Sequence, residues 1–168
     1  MKLPALVLAA ALAAPAVAAT TFDCPVPKGW SVVPEDDGTT FLGPRDEHKV
    51  AAQVNVRYVP PGHVSYADAD AYVARLTRKS DLEVPGWKTY PVEKTTVAGR
   101  AARSVRLDTS EFVPPRSRFT KEVPMWEEHV VVPASKGFYV IVYYAPRSIA
   151  AKNRAALKRV LAGFKPKL

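Results

Sequence analysis

The segment KGFYVIVYYAP, residues 136–146, sets apolar or aromatic side chains side by side with no charged residue between Gly137 and Arg147. An extended chain turns successive side chains to opposite sides. Phe138, Val140, Val142 and Tyr144 therefore face one way, and Tyr139, Ile141, Tyr143 and Ala145 the other. A strand that is apolar on both faces needs a covering layer on each. The stretch is too short to cross a bilayer as a helix, which takes about 20 residues, and no companion strands of a membrane barrel accompany it. It reads as the central strand of a sheet with helices on both sides.

Two segments have the spacing to supply those layers. Over 65–80, Ala69, Tyr72, Val73 and Leu76 recur at helical intervals, with Asp70, Arg75 and Arg78 on the other side; Ser65 followed by Asp68 predicts the capping box. Over 148–164, Leu157, Val160, Leu161 and Phe164 form an apolar stripe, and Lys152, Arg154, Lys158 and Arg159 make the remaining surface basic.

Short strands account for most of the rest, punctuated by 16 prolines. Segments 30–33 and 39–42 flank Pro34-Glu35-Asp36-Asp37-Gly38 and predict an opening hairpin. In 49–59, Val50, Ala52, Val54, Val56 and Tyr58 alternate with Gln53, Asn55 and Arg57, the pattern of a half-exposed strand. Segments 87–97 and 100–107 meet at Ala98-Gly99, where Gly99 is expected to supply a positive φ. Segment 125–132 precedes the central strand. Between them, 108–124 holds three prolines and reads as a long loop carrying Arg116, Arg118 and Lys121 around Phe119. The order βββ-α-ββββ-α predicts an α+β fold: a three-layer α/β/α sandwich with a mainly antiparallel central sheet.

At the N-terminus, Lys2, the apolar run from Leu3 to Ala14, Pro15 and the small residues Ala16 to Ala19 read as a secretory signal peptide over 1–19, cleaved near Ala18 or Ala19. Residues 20–168 then form one domain with no transmembrane segment, periplasmic or secreted. Loss of Lys2 lowers the formal charge from +8 to +7, a balance that suits an anionic partner. Cys24 is the single cysteine and cannot form an internal disulfide. Asp23 before it breaks the pattern of a lipid-anchoring site, so a free thiol or an intermolecular bridge is its expected fate.

Several patterns characterise the mature chain together: the Pro27-Lys28-Gly29-Trp30 opening, the Val97-Ala98-Gly99-Arg100-Ala101 turn, the Gly137-Phe138-Tyr139 strand start, and the Tyr144-Ala145-Pro146 exit into a helix ending Leu161-Ala162-Gly163-Phe164. In their order and spacing they resemble the PsbP-like family. That family comprises extrinsic photosystem II accessory proteins, related bacterial secreted proteins and a Ran-binding nuclear import factor. The resemblance implies a non-enzymatic accessory or binding module that docks onto larger assemblies. Some members bind divalent metal, but no metal-ligand motif of the family matches here residue by residue.

The residues themselves name no reaction. His48, His63 and His129 lie outside chelating spacing of one another, no Gly-x-Ser-x-Gly elbow is present, and Asp36-Asp37 lacks the spaced oxygens of a calcium loop. Neither a catalytic residue, a metal ligand nor a cofactor is assigned. Glu127 and His129 fall on one face of a strand, where a solvated polar face opposite Trp126 and Val130 is expected. The candidate partner-binding residues are Arg116, Arg118, Phe119 and Lys121 of the loop with Lys152, Arg154, Lys158 and Arg159 of the last helix. Export makes nucleic acid an unexpected partner; a protein complex or an anionic envelope surface fits the charge better. The competing reading is a small-ligand carrier or small enzyme whose pocket lies between sheet and helix, lined by tyrosines such as Tyr139 or Tyr143.

Overall fold

The computed structural model describes residues 21–78, 84–115 and 118–168, so the segment 1–19 read as a signal peptide lies outside the described residues. β1 (Phe22–Asp23), β2 (Ser31–Glu35), β3 (Gly38–Arg45) and β4 (Ala51–Val59) are followed by α1 (Ala69–Thr77). β5 (Lys88–Thr89), β6 (Glu93–Val97), β7 (Arg100–Val113), β8 (Lys121–Pro133) and β9 (Phe138–Pro146) lead to α2 (Arg147–Gly163) and β10 (Lys165–Pro166).

Eight strands make one antiparallel sheet in the order β2-β3-β4-β9-β8-β7-β5, with β6 also paired to β7. The chain lays down three strands, crosses one face through α1 to the far edge, and returns inward strand by strand. β9 closes the sheet by pairing with β4 and β8 together. The central position expected of the segment at 138–146 is the one it occupies. Its two apolar faces are buried in two separate cores. Tyr139, Ile141, Tyr143 and Ala145 pack with Ala150, Leu157, Val160 and Phe164 of the α2 side. Phe138 and Val140 pack with Tyr72 and Val73 of α1. At about 1.5–3 kcal/mol for each large apolar side chain removed from water, this one strand is a principal source of cohesion, and the expected α/β/α layering is the arrangement that lets it bury both faces.

Several local expectations change. The cap of α1 is Asp68 rather than Ser65: Asp68 Oδ1 accepts the Ala71 N–H at 2.8 Å and supplies the acceptor that an N-terminal turn needs. Ser80, the expected end of that helix, lies outside the described residues. The strand expected over 87–97 is two strands, β5 and β6, because Tyr90-Pro91-Val92 interrupts it and an imide cannot donate to a ladder. The turn at Ala98-Gly99 has the expected positive φ at Gly99 (75°) and also at Ala98 (51°), the twist that suits a two-residue hairpin loop.

The largest change concerns 108–124. That segment is the continuation of β7 and β8 as a hairpin, with Glu111 opposite Val123, Phe112 opposite Glu122 and Val113 opposite Lys121. Backbone pairing sustains the strands where the side chains are mostly polar, helped by the Ser110 hydroxyl donating to Glu122 Oε1 at 2.6 Å. Pro124 sits where β8 has run past the end of β9 and has β7 as its neighbour, an edge position that tolerates proline. Val113, Val123 and Met125 of this hairpin pack with Val50 and Tyr144, so it lies down beside the start of β4 as far as its last pair, Val113 with Lys121.

The first and last described segments are also held together. β1 pairs with β10, and Phe22 is buried against Tyr139 and Phe164. Cys24 packs partly buried against the α2-side core.

Candidate functional site

α1 is fastened to the sheet by a chain of polar groups. Residue 72 falls on the inward face of the helix, and residues 127 and 129 fall on the α1 face of β8 because a strand repeats every two residues. The Tyr72 hydroxyl lies 2.8 Å from His129 Nδ1, and His129 Nε2 lies 2.8 Å from Glu127 Oε1. Glu127 Oε2 accepts from the Thr109 hydroxyl at 3.5 Å. Burial pushes the Tyr72 hydroxyl up to about 12, against the opposing pull of Arg57 beside it. The tyrosine therefore keeps its proton, and where it donates to Nδ1 the ring hydrogen sits on Nε2 and is donated to Glu127.

This arrangement corrects the solvated polar face expected of Glu127 and His129. The two do share a face, but α1 lies over it, and His129 is only 5% exposed. With both ring nitrogens engaged inside the fold, the histidine is placed to lock α1 onto the sheet. The partner that gives it this role is 57 residues away in sequence, so no local spacing announces it. Among the described residues no group of three or more His, Cys, Asp and Glu is placed to hold a metal ion.

The opposite face has its own polar edge, beside α2. Arg106 stacks between two aromatic rings, 4.4 Å from the Tyr90 centroid and 3.9 Å from that of Trp126; Lys88 lies 4.6 Å from the Tyr90 ring and Arg154 5.7 Å from that of Trp126. Asp108 is 3% exposed. It accepts from the Tyr90 hydroxyl at 2.9 Å, from Arg106 at 3.2 Å and from Arg147 at the start of α2. Burial pushes the Asp108 carboxyl up, but Tyr90, Arg106 and Arg147 together hold it below the ordinary aspartate range. Glu128, also buried, takes a two-pronged pair from Arg154 through Nε (2.8 Å) and Nη2 (3.0 Å).

Tyr139 and Tyr143 do not line a pocket. Both are fully buried. The Tyr139 hydroxyl donates to Thr21 O at 2.9 Å and accepts from Leu168 N at 3.1 Å, and the Tyr143 hydroxyl donates to Ala150 O at 2.7 Å. Each ring is a packing element whose polar tip ties the sheet to a terminus or to α2, so the space expected for a ligand there is filled.

The candidate partner-binding residues fall into two groups. Arg118, Phe119 and Lys121 are exposed at the tip of the β7–β8 hairpin, with Phe119 88% exposed. Arg116 belongs to the same connection and lies outside the described residues. Lys152, Lys158 and Arg159 are exposed on the back of α2, while Arg154 is turned inward to Glu128. Arg147 joins α2 to Asp108 of β7, so the helix begins at the hairpin's end of the sheet. From there Lys152 lies about 8 Å and Arg159 about 18 Å along the helix axis at 1.5 Å per residue. Burial first, and the Asp23 carboxylate second, push the Cys24 thiol up to about 11. At neutral pH it is a protonated thiol of low reactivity.

Among the described residues no helix is long and apolar enough to cross a membrane. No protein-family model matches the chain, and no curated protein matches it. Among solved structures, the crystal structure of LpqN, involved in cell envelope biogenesis of Mycobacterium tuberculosis, is similar over 86% of this chain and 82% of that one, with a TM-score of 0.58 and 15% sequence identity. At that identity the likeness is one of fold, and it extends across nearly all of the architecture described above.

Proposed function

We propose that this chain is an exported, non-enzymatic accessory module that docks onto a protein complex or an anionic envelope surface. The observation that carries the reading is the β7–β8 hairpin. Past Thr109 on one strand and before Met125 on the other, no third strand pairs with it among the described residues. This two-stranded arm ends in an 88% exposed phenylalanine between the exposed cations Arg118 and Lys121. An aromatic at the tip of a basic arm combines apolar anchorage with attraction to an anionic surface. The signal-peptide pattern over 1–19, the PsbP-like pattern of the mature chain and the fold shared with LpqN, a protein involved in cell envelope biogenesis, support the same setting. Lys152, Lys158 and Arg159 form a second contact on the back of α2, and Arg116 adds to the arm.

The test is binding to envelope vesicles and to vesicles of anionic or neutral phospholipid, comparing the native chain with one in which Arg116, Arg118 and Lys121 are all changed to Glu. At about 1 kcal/mol for each cation near an anionic surface, the triple change is expected to weaken binding by about 100-fold or more. Loss from envelope vesicles alone identifies a protein partner, and loss from anionic lipid as well identifies the surface itself. Equal binding by the two proteins overturns the reading.

A further inference from the structure

A cleft of about 320 Å³ lies where the β7–β8 hairpin comes down beside the start of β4. Leu42, Val50, Ala51 and Val113 supply its apolar surface. Arg45 and Lys49, at the two ends of the β3–β4 connection, bring two cations to it, and Gln53 of β4 and Glu111 of β7 add the remaining polar groups. Val50 and Val113 belong to the small core with Val123, Met125 and Tyr144, so the apolar surface is fixed in place. A compact apolar cavity with a few convergent polar groups, at the lower end of the roughly 300–1,000 Å³ range, is the form that small-ligand sites take.

The backbone sets the two cations side by side. Asp46 Oδ1 accepts the N–H groups of His48 and Val50, each at 2.9 Å, and the Asp46 N–H donates to Val50 O at 3.0 Å, which closes a tight loop. Lys49 in that loop has a φ of 65°, a conformation glycine adopts more easily. Arg45 Nη1 donates to Lys49 O at 2.7 Å, so the guanidinium is held beside the lysine. The acids of the loop are engaged away from the cleft, Asp46 with those amides and Glu47 with His48 at 3.4 Å. Lys121 is paired directly opposite Val113, so its side chain leaves the hairpin on the same face. Arg45, Lys49 and Lys121 are exposed and open to a solute, and none forms an ion pair among the described residues. Against these three cations stands the carboxylate of Glu111, which accepts the Tyr144 hydroxyl at 3.3 Å, so two positive charges are left over. A phosphate monoester carries about −1.5 to −2 at pH 7 and matches that excess.

We propose that this cleft binds a phosphate group with an apolar chain attached, the chemistry of a phosphorylated amphiphile. Arg45 and Lys49 receive the phosphate, Lys121 adds to the field that attracts it, and the first carbons of the chain lie on Leu42, Val50 and Val113. The site shares Lys121 with the arm but does not rest on the docking reading, because it takes one soluble molecule without needing a surface.

The experiment follows the backbone amide resonances of Val50, Ala51, Gln53 and Val113 in the full chain by NMR during titration with hexyl phosphate, inorganic phosphate and hexan-1-ol. Both phosphates are compared with sodium chloride of equal ionic strength. Hexyl phosphate is expected to shift these amides saturably. It should bind at least about tenfold more tightly than inorganic phosphate or hexan-1-ol, since each methylene laid on the apolar surface contributes about fourfold. Arg45→Gln combined with Lys49→Gln is expected to weaken the binding about tenfold or more. That variant leaves Arg116, Arg118 and Lys121 in place, so vesicle binding through the arm and binding in the cleft can fail separately. Glu111→Gln keeps an acceptor for the Tyr144 hydroxyl and removes the opposing charge; it is expected to tighten the binding about threefold. Shifts that match the chloride control, hexyl phosphate binding no tighter than inorganic phosphate or hexan-1-ol, or binding that both variants leave unchanged overturn the proposal.

Discussion

The two faces of the sheet are held by different physics. On one, the 17-residue α2 lies over a broad apolar core from Phe41 to Phe164. On the other, the nine-residue α1 covers a smaller core around Val73, Val105 and Val140, and the Tyr72–His129–Glu127 chain supplies a directional fastening. Apolar burial is tolerant of geometry and scales with area. A hydrogen-bonded chain depends on every member being in place. The comparison teaches that α1 is the element whose attachment depends on a few atoms, and so the one expected to loosen first.

The largest test of this difference is a matched pair of core truncations. Val160→Ala on the α2 side should cost about 2 kcal/mol in urea unfolding, the transfer cost of two carbons plus the cavity they leave. Val73→Ala under α1 should cost visibly less. Equal losses would break the contrast. Next in size, Tyr72→Phe leaves His129 Nδ1 without its donor and should cost about 1–3 kcal/mol. Amide exchange in α1 should accelerate while that in β9 stays slow; equal acceleration of both would show that the two faces share one cooperative lock. The smallest effect concerns acid. The Asp108 carboxyl is held below its unfolded value, so its stabilising contribution is complete above about pH 4 and is lost as pH falls through the lower folded value. Urea midpoints should therefore decline on acidification, and less steeply in Asp108→Asn. Identical slopes would remove Asp108 from the account of the α2-side edge.

Much of the architecture was legible because period two is a strong signal when both registers are apolar. Phe138 to Ala145 demanded two layers, and helical spacing at Tyr72 and Leu157 located them. The hairpin over 108–124 was not legible. Polar alternation such as Thr109, Glu111 and Val113 carries little information when a strand is held mainly by its backbone, and Pro114 and Pro115 look like loop punctuation whether they end a strand or fill a coil. The chemistry was harder still. Glu127 and His129 were visible as a pair, but Tyr72 reaches them through the fold. Arg106 and Trp126 stack because β7 and β8 pair in one register, and nothing near either residue in sequence says so. The exposed cations were readable in place, whereas the inward turn of Arg154 followed only from finding Glu128 beneath it.

The pairing of β1 with β10 gives the molecule a polarity. Tyr139 meets Thr21 and Leu168 at the start of β9, while Pro146 at its other end adjoins α2 and the base of the hairpin. The two points are about 23 Å apart along the strand at 3.3 Å per residue. Immobilising the protein at Leu168 therefore holds it at one pole and leaves Phe119 at the other. The sheet becomes a rigid spacer whose length sets how far from the tether the arm makes contact.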